Sequence, residues 1–459
     1  MHGILLTTGL CLFMATMASS NNRLVCYYDR KSSLRPSIGR FTPANFDPKL
    51  CTHIIMSHAI INQHKLEPAA TSDTALYVEV NNLKTGNSNL KTLLAVGGPG
   101  YSSQTFSSMV ASANSRQTFI NSAKTLLKDY GFDGINVDWR YPGSADSQPQ
   151  DKNRFISLCQ ELKTAFASDS LIVSASVSAV KTMIDSSYPD PVSLANSLDF
   201  INVLTFELHS PTETVTAHHS PLGALSTNLT DTLTTAYAMN YWRSKGVPAD
   251  KLNMGFAAFG VAFRLANPNN NGVGAATSTN APEEGCYGSV PGIWSYYENC
   301  IYRQGGTEHW IQEQSVPYAV TQGHWVGYDN TSSIDAKTSH IITNGYGGAV
   351  VWSVDLDDYT GQFCGEGTFP FIKYLQSKLP ATTTTTTTTA PTTTTTTTTS
   401  SNGGGGGGNV CNGKTGHHPN PEDNTTYYNC DHGTGTLQKC PAGLIFCDSC
   451  KCCNHPFAC

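Results

Sequence analysis

The stretch "SRQTFINSAKTLLKDYGFDGINVDW", residues 115–139, changes its periodicity halfway along. Over 115–130 the apolar residues recur at three and four positions, the spacing of a helix with one buried face. "FDGINVDW" (132–139) then reads as a short strand. The same alternation recurs. Strand candidates are "RLVCYY" (23–28), "HIIMSHAII" (53–61), "LKTLLAVGG" (90–98), "LIVSASVSA" (171–179), "FINVLTF" (200–206), "LNMGFAAF" (252–259) and "GGAVVWSV" (347–354). A second clear helix candidate is "NRFISLCQELKTAFAS" (153–168). Strands apolar on both faces and separated by helices imply parallel pairing. Eight such units over 21–379 predict an α/β fold, a closed (β/α)8 barrel. A doubly wound open sheet is the competitor, but no glycine-rich dinucleotide fingerprint follows the first strand. The segment 264–338, with "GIWSYYENC" and "HWVGYDN", is too long for one crossover helix and is expected to be an α+β insertion between the seventh strand and its helix.

The flanks have different chemistry. Residues 1–20, "MHGILLTTGLCLFMATMASS", form an apolar run ending in small residues, expected to be a cleaved secretory signal; an uncleaved membrane anchor is the alternative. No later segment is expected to enter a bilayer. Residues 380–409 contain two runs of threonine and then "GGGGGG", the composition of an O-glycosylated stalk followed by a flexible hinge. The final segment, 410–459, holds eight cysteines: Cys411, Cys430, Cys440, Cys447, Cys450, Cys452, Cys453 and Cys459. That density implies a disulfide-stapled module in an oxidising, extracellular setting; the spacing "CDSCKCC" would otherwise suggest zinc. Sequons stand at Asn228, Asn330 and Asn424. With 28 Lys and Arg against 34 Asp and Glu, the net charge of -6 excludes a basic nucleic-acid surface. No metal ion or cofactor is expected.

Chemistry in such a barrel gathers where strands end. A period of two through 133–140 separates Asp133, Ile135 and Val137 from Gly134, Asn136, Asp138 and Arg140, so the latter form a polar row aimed at the barrel mouth.

That row resembles the active-site strand of glycoside hydrolase family 18, the chitinases, whose pattern is DGxDxDxE. The likeness extends in order through "LVCYY", "CTHII", "LLAVGG", "GFDGINVDWRYPG", "DFINVLTFELH", "MGFAAFG" and "GGAVVWSVDLDDYTGQFC", and is strongest for animal chitinases and chitinase-like lectins. The family uses the substrate's own acetamido oxygen as nucleophile, so it needs a general acid, an orienting aspartate and a tyrosine. The resemblance puts Arg140, Asn136 and Phe206 in those three places. An arginine holds its proton to about pH 12, so it cannot act as an acid near neutrality. Losing general-acid catalysis alone costs roughly 100- to 10,000-fold. The resemblance therefore implies a pseudoenzyme.

Asp133 and Asp138 match the family's first and third aspartates. Asp138 is expected to pair with Arg140, Asp133 to satisfy donors near "VSASVSA" inside the barrel, and Glu207 to lie within reach of Arg140. Lys31, Pro99 and Thr212 replace tryptophans that the resemblance predicts as sugar platforms, while Trp352 and Phe259 retain aromatic rings. Cys26 with Cys51, and Cys300 with Cys364, match family disulfides; Cys286 has no evident partner, and Cys159 reads as a buried thiol. The tail resembles the chitin-binding module of vertebrate-type chitinases. Its candidate sugar platforms are Tyr427, Tyr428, Phe446 and Phe457, and its two extra cysteines, Cys447 and Cys459, are expected to pair. The resulting expectation is a secreted, catalytically dead protein that binds chitin or N-acetylglucosamine oligosaccharides, mainly through the tail, with a glycoprotein as a second candidate partner. Two alternatives stand beside it: an active hydrolase or transglycosylase with a relocated acid such as Glu207, and a structural mucin-like glycoprotein.

Overall fold

The computed structural model describes residues 22–379 and 410–454, apart from 36, 145, 289, 305, 322, 415, 432–433, 441–443 and 449–451. The leader, the threonine-rich stretch, and Cys450, Phe457 and Cys459 lie outside the described residues, and with them the expected Cys447–Cys459 pairing.

Eight strands build the barrel: β1 (Arg23–Asp29), β2 (His53–Asn62), β3 (Lys91–Gly97), β4 (Gly134–Asp138), β5 (Ile172–Ser178), β6 (Phe200–Leu204), β7 (Leu252–Ala257) and β8 (Gly348–Trp352). Each pairs in parallel with the next, and β8 pairs with β1, so the sheet closes. Closure leaves the barrel itself without an unpaired edge. The helix α1 (Ala113–Tyr130) explains how the opening stretch turns a corner. Ser112 caps its start by accepting from the Ser115 N–H, and Gly131, at φ 77°, ends it in the left-handed conformation that suits glycine. Phe132 then leads directly into β4.

Alternation along β4 sorts its side chains. Ile135 and Val137 join the apolar layer between strands and helices, with Phe119, Ile120 and Leu127 of α1. Asn136 faces inward, where Val25, Tyr27, Ile55, Leu93 and Val350 form a small apolar cluster. The interior around Asn136 is polar but satisfied: its Nδ2 donates to Tyr27 Oη (2.9 Å), and Ser174 Oγ donates to its Oδ1 (2.9 Å). Buried polar groups at such depth are tolerated because they are paired.

The insertion begins earlier than the boundary at 264. Its five-stranded antiparallel sheet starts at Phe259–Arg264 and ends with His324–Gly327, and the returning helix starts at Thr331. "LNMGFAAFGVAF" reads as one apolar run, but the chain leaves the barrel at Ala258, whose N–H donates to Trp352 O at 2.9 Å. The tail has a three-stranded sheet (Gly416–Pro419, Thr426–Asp431, Thr434–Lys439) and a two-stranded one (Ile445–Cys447, Cys452–Asn454).

Disulfides join Cys26 to Cys51, Cys300 to Cys364, Cys411 to Cys430 and Cys440 to Cys453. Cys286 does have a partner: Cys452, far along the chain in the tail. The tail thus sits against the insertion. Tyr287 donates to Cys453 O, and Tyr302 meets His417 at 5.5 Å between ring centres. Cys159 is a buried thiol on a helix.

Candidate functional site

Asp138 ends β4 with its carboxylate wholly buried at the barrel mouth. Arg140, two residues on, folds back over it: Nε donates to Oδ1 at 3.0 Å and Nη2 to Oδ2 at 3.3 Å. The loop is held by Tyr188, whose hydroxyl donates to Arg140 O at 2.8 Å. A third group, His58 of β2, places Nε2 at 3.2 Å from Asp138 Oδ2. Burial alone would raise the Asp138 carboxyl, but the charge of Arg140 and the hydrogen bonds from His58 and Arg140 outweigh it and hold the carboxyl below its ordinary value. Burial pulls Arg140 down, and Asp138 more than reverses this. The pair is charged, and its cation holds its proton more tightly than a free arginine.

His58 also lies against Trp352 at the end of β8, with ring centres 5.8 Å apart and planes 21° apart, while Tyr27 meets the same indole at 4.9 Å. Gly98, at φ 89°, makes room: a Cβ there would stand 2.4 Å from the His58 ring. Trp352 remains half-buried and lines two adjoining clefts of about 290 and 620 Å³. Both clefts also share Asp29, Arg30 and Lys31.

Several expected site residues are elsewhere. Asp133 is not inside the barrel near residues 173–179. It precedes β4 at the opposite end from the site, accepts from the Thr92 N–H (2.8 Å), and pairs with Lys84 and Lys91, because its parity on the strand points it outward. Glu207 forms no ion pair with Arg140. It follows β6 in the left-handed region (φ 54°) with an exposed side chain at the rim. Even so, the surrounding walls raise its carboxyl by desolvation, against the pull of Arg140. Phe259 is buried between His219 (5.4 Å) and Phe206 (5.9 Å), so it offers no face to a sugar. In the tail, Tyr427, Tyr428 and Phe446 are also buried, and Tyr427 stacks on Phe446 at 4.8 Å. These aromatic rings build the module's small core and its seam with the insertion.

Of the sequons, Asn228 and Asn424 are exposed. Asn330 caps the helix Thr331–Asn344, accepting from the Ser333 N–H and donating to Glu308. Among the described residues no helix is long and apolar enough to cross a membrane.

His58 is the member of the site that the strand pattern missed. A serine and a histidine near the end of an otherwise apolar run, "HIIMSHAII", were the available signal.

A closed parallel barrel with a polar constellation at the C-terminal strand ends defines the class: a (β/α)8 barrel whose mouth pairs a cation, Arg140, with Asp138. The chain belongs to the glycosyl hydrolases family 18, whose model matches residues 23–357. It is 39% identical to chitotriosidase-1 of Mus musculus over 465 residues, covering 97% of this chain and 98% of that protein. It is likewise 39% identical to the oviduct-specific glycoprotein of Mus musculus, of which it covers 53%. Among solved structures, human YKL-39, described as "a pseudo-chitinase with retained chitooligosaccharide binding properties", superposes with a TM-score of 0.74 at 38% identity, covering 78% of this chain and 99% of that one.

Proposed function

We propose that this protein is a secreted, catalytically silent family 18 barrel that binds N-acetylglucosamine oligosaccharides in the cleft over Trp352. The carrying observation is the Arg140–Asp138 pair. Where the reaction must receive a proton stands a guanidinium pinned by two hydrogen bonds, its proton held above the ordinary arginine range. A cation at that point also opposes the positive charge that develops in an oxocarbenium-like transition state. Asn136 supports the same reading, since its amide is committed to Tyr27 and Ser174.

Binding is supported by the half-buried Trp352 and by relatives such as YKL-39, whose description records retained chitooligosaccharide binding. With Tyr427, Tyr428 and Phe446 buried, the tail acts as a brace on the insertion, and the cleft carries the greater share of recognition. Secretion accords with the leader composition and the five disulfides among the described residues.

The test is turnover of a fluorogenic N-acetylglucosamine oligomer alongside calorimetric binding of chitohexaose. Binding without turnover is expected. The raised carboxyl of Glu207 favours one competitor, an enzyme with a relocated acid. Turnover that disappears in Glu207→Gln would establish that competitor instead.

A further inference from the structure

The two clefts over Trp352 present cations to the lumen, Arg30 and Lys31 in both and Arg35 in the larger, and keep the counter-ions of the arginines behind the wall. Arg30 Nη1 holds Asp73 Oδ1 at 3.2 Å, with side-chain exposures of 21% and 2%. Arg35 Nη2 holds Asp355 Oδ2 at 2.6 Å, with 14% and 0%. Outside both clefts, Arg140 and Asp138 repeat the pattern at 15% and 0%. In each pair the guanidinium is the partner a ligand meets. Lys31 goes further, being exposed and making no ion pair among the described residues. Arg30 also keeps Nε and Nη2 uncommitted, and Arg140 keeps Nη1 uncommitted. The one acid on the same wall, Asp29, is pushed toward its neutral form by burial and by Asp355. Glu207 stands apart, lining neither cleft.

A neutral sugar polymer takes only ordinary hydrogen bonds from such a wall, whereas an acidic one finds charge-assisted donors beside an aromatic floor. We infer that the cleft takes N-acetylglucosamine-containing oligosaccharides that carry a carboxylate, with that carboxylate seated on Lys31 and Arg30 beside the Trp352 ring. The inference rests on reading the cleft as a sugar site and narrows its ligand to acidic glycans. The carboxylate belongs either to a uronate within the chain or to a sialate at its end; the chemistry at Lys31 is the same.

The test titrates the full chain with three probes: chitohexaose, a hyaluronan hexasaccharide (alternating N-acetylglucosamine and glucuronate), and a sialylated N-acetyllactosamine. At low salt one of the acidic probes binds more tightly than chitohexaose, and that advantage shrinks at high salt while chitohexaose binding holds. Lys31→Trp, at an exposed position where the fold is indifferent, weakens the acidic probe by about fivefold, the upper range for one exposed charge pair, and strengthens chitohexaose. Preference for hyaluronan identifies an in-chain carboxylate and preference for the sialylated probe a terminal one. Chitohexaose binding tighter than both acidic probes overturns the inference and leaves the sugar-binding reading intact. An unchanged preference in Lys31→Trp overturns the placement of the carboxylate, and failure of all three probes overturns both readings.

Discussion

At the scale of single residues, the site is governed by one ion pair, and removing either partner has different consequences. Arg140→Leu leaves the buried Asp138 carboxyl with only His58 beside it, and breaking such a pair costs about 3–5 kcal/mol. Asp138→Asn combined with Arg140→Leu is expected to recover most of that loss, measured by urea unfolding at neutral pH. The pH dependence follows from the direction of the Asp138 shift. Its folded value lies below the unfolded one, so the pair's contribution is fully present above the ordinary aspartate range near pH 4 and disappears as pH falls through the folded value. The wild type should therefore lose melting temperature on an acid titration through that window, and Arg140→Leu should show less of that loss. On the proposed reading of a silent barrel, catalysis is harder to restore than stability. Arg140→Glu with Asn136→Asp and Phe206→Tyr should yield measurable hydrolysis of a short oligomer but poor activity on polymer, since Lys31, Pro99 and Thr212 offer no indole platforms.

At the scale of elements, legibility in the sequence depended on whether a residue's role was local. The strand-and-helix alternation and the polar row of β4 follow from spacing and pattern within short windows, whereas the Cys26–Cys51 and Cys300–Cys364 bonds are expected only from the family resemblance. Asp133 illustrates the limit: parity along the strand already placed it on the outer face, and resemblance to a motif pulled the expectation inward. His58, Tyr27 and Trp352 come from β2, β1 and β8, and only barrel closure brings them together. The tail aromatics misled for another reason. A module with so few apolar residues must use its tyrosines and phenylalanines as core, leaving few for a ligand. Tyr427→Ala is accordingly expected to loosen the tail, seen as faster amide exchange across Thr426–Asp431, while chitohexaose affinity of the cleft stays within error.

At the scale of the whole molecule, the barrel and tail act as one unit through the insertion. Truncation after Pro380 removes the partner of Cys286 and the tail rings that pack on the insertion sheet. Binding of short oligosaccharides in the cleft should survive this truncation, because none of the tail's described residues lines either cleft. Sedimentation with insoluble chitin, run on the full and truncated chains side by side, then measures whatever the tail adds. Equal pelleting would assign polymer binding to the barrel alone.

The Cys286–Cys452 bond also makes the chain covalently circular across its threonine-rich segment, since residues 380–409 lie between the two bonded cysteines. A protease that nicks this segment creates two fragments but releases neither. On a gel, the nicked protein should migrate as a single species until a reducing agent is added, and only then yield a separate C-terminal piece.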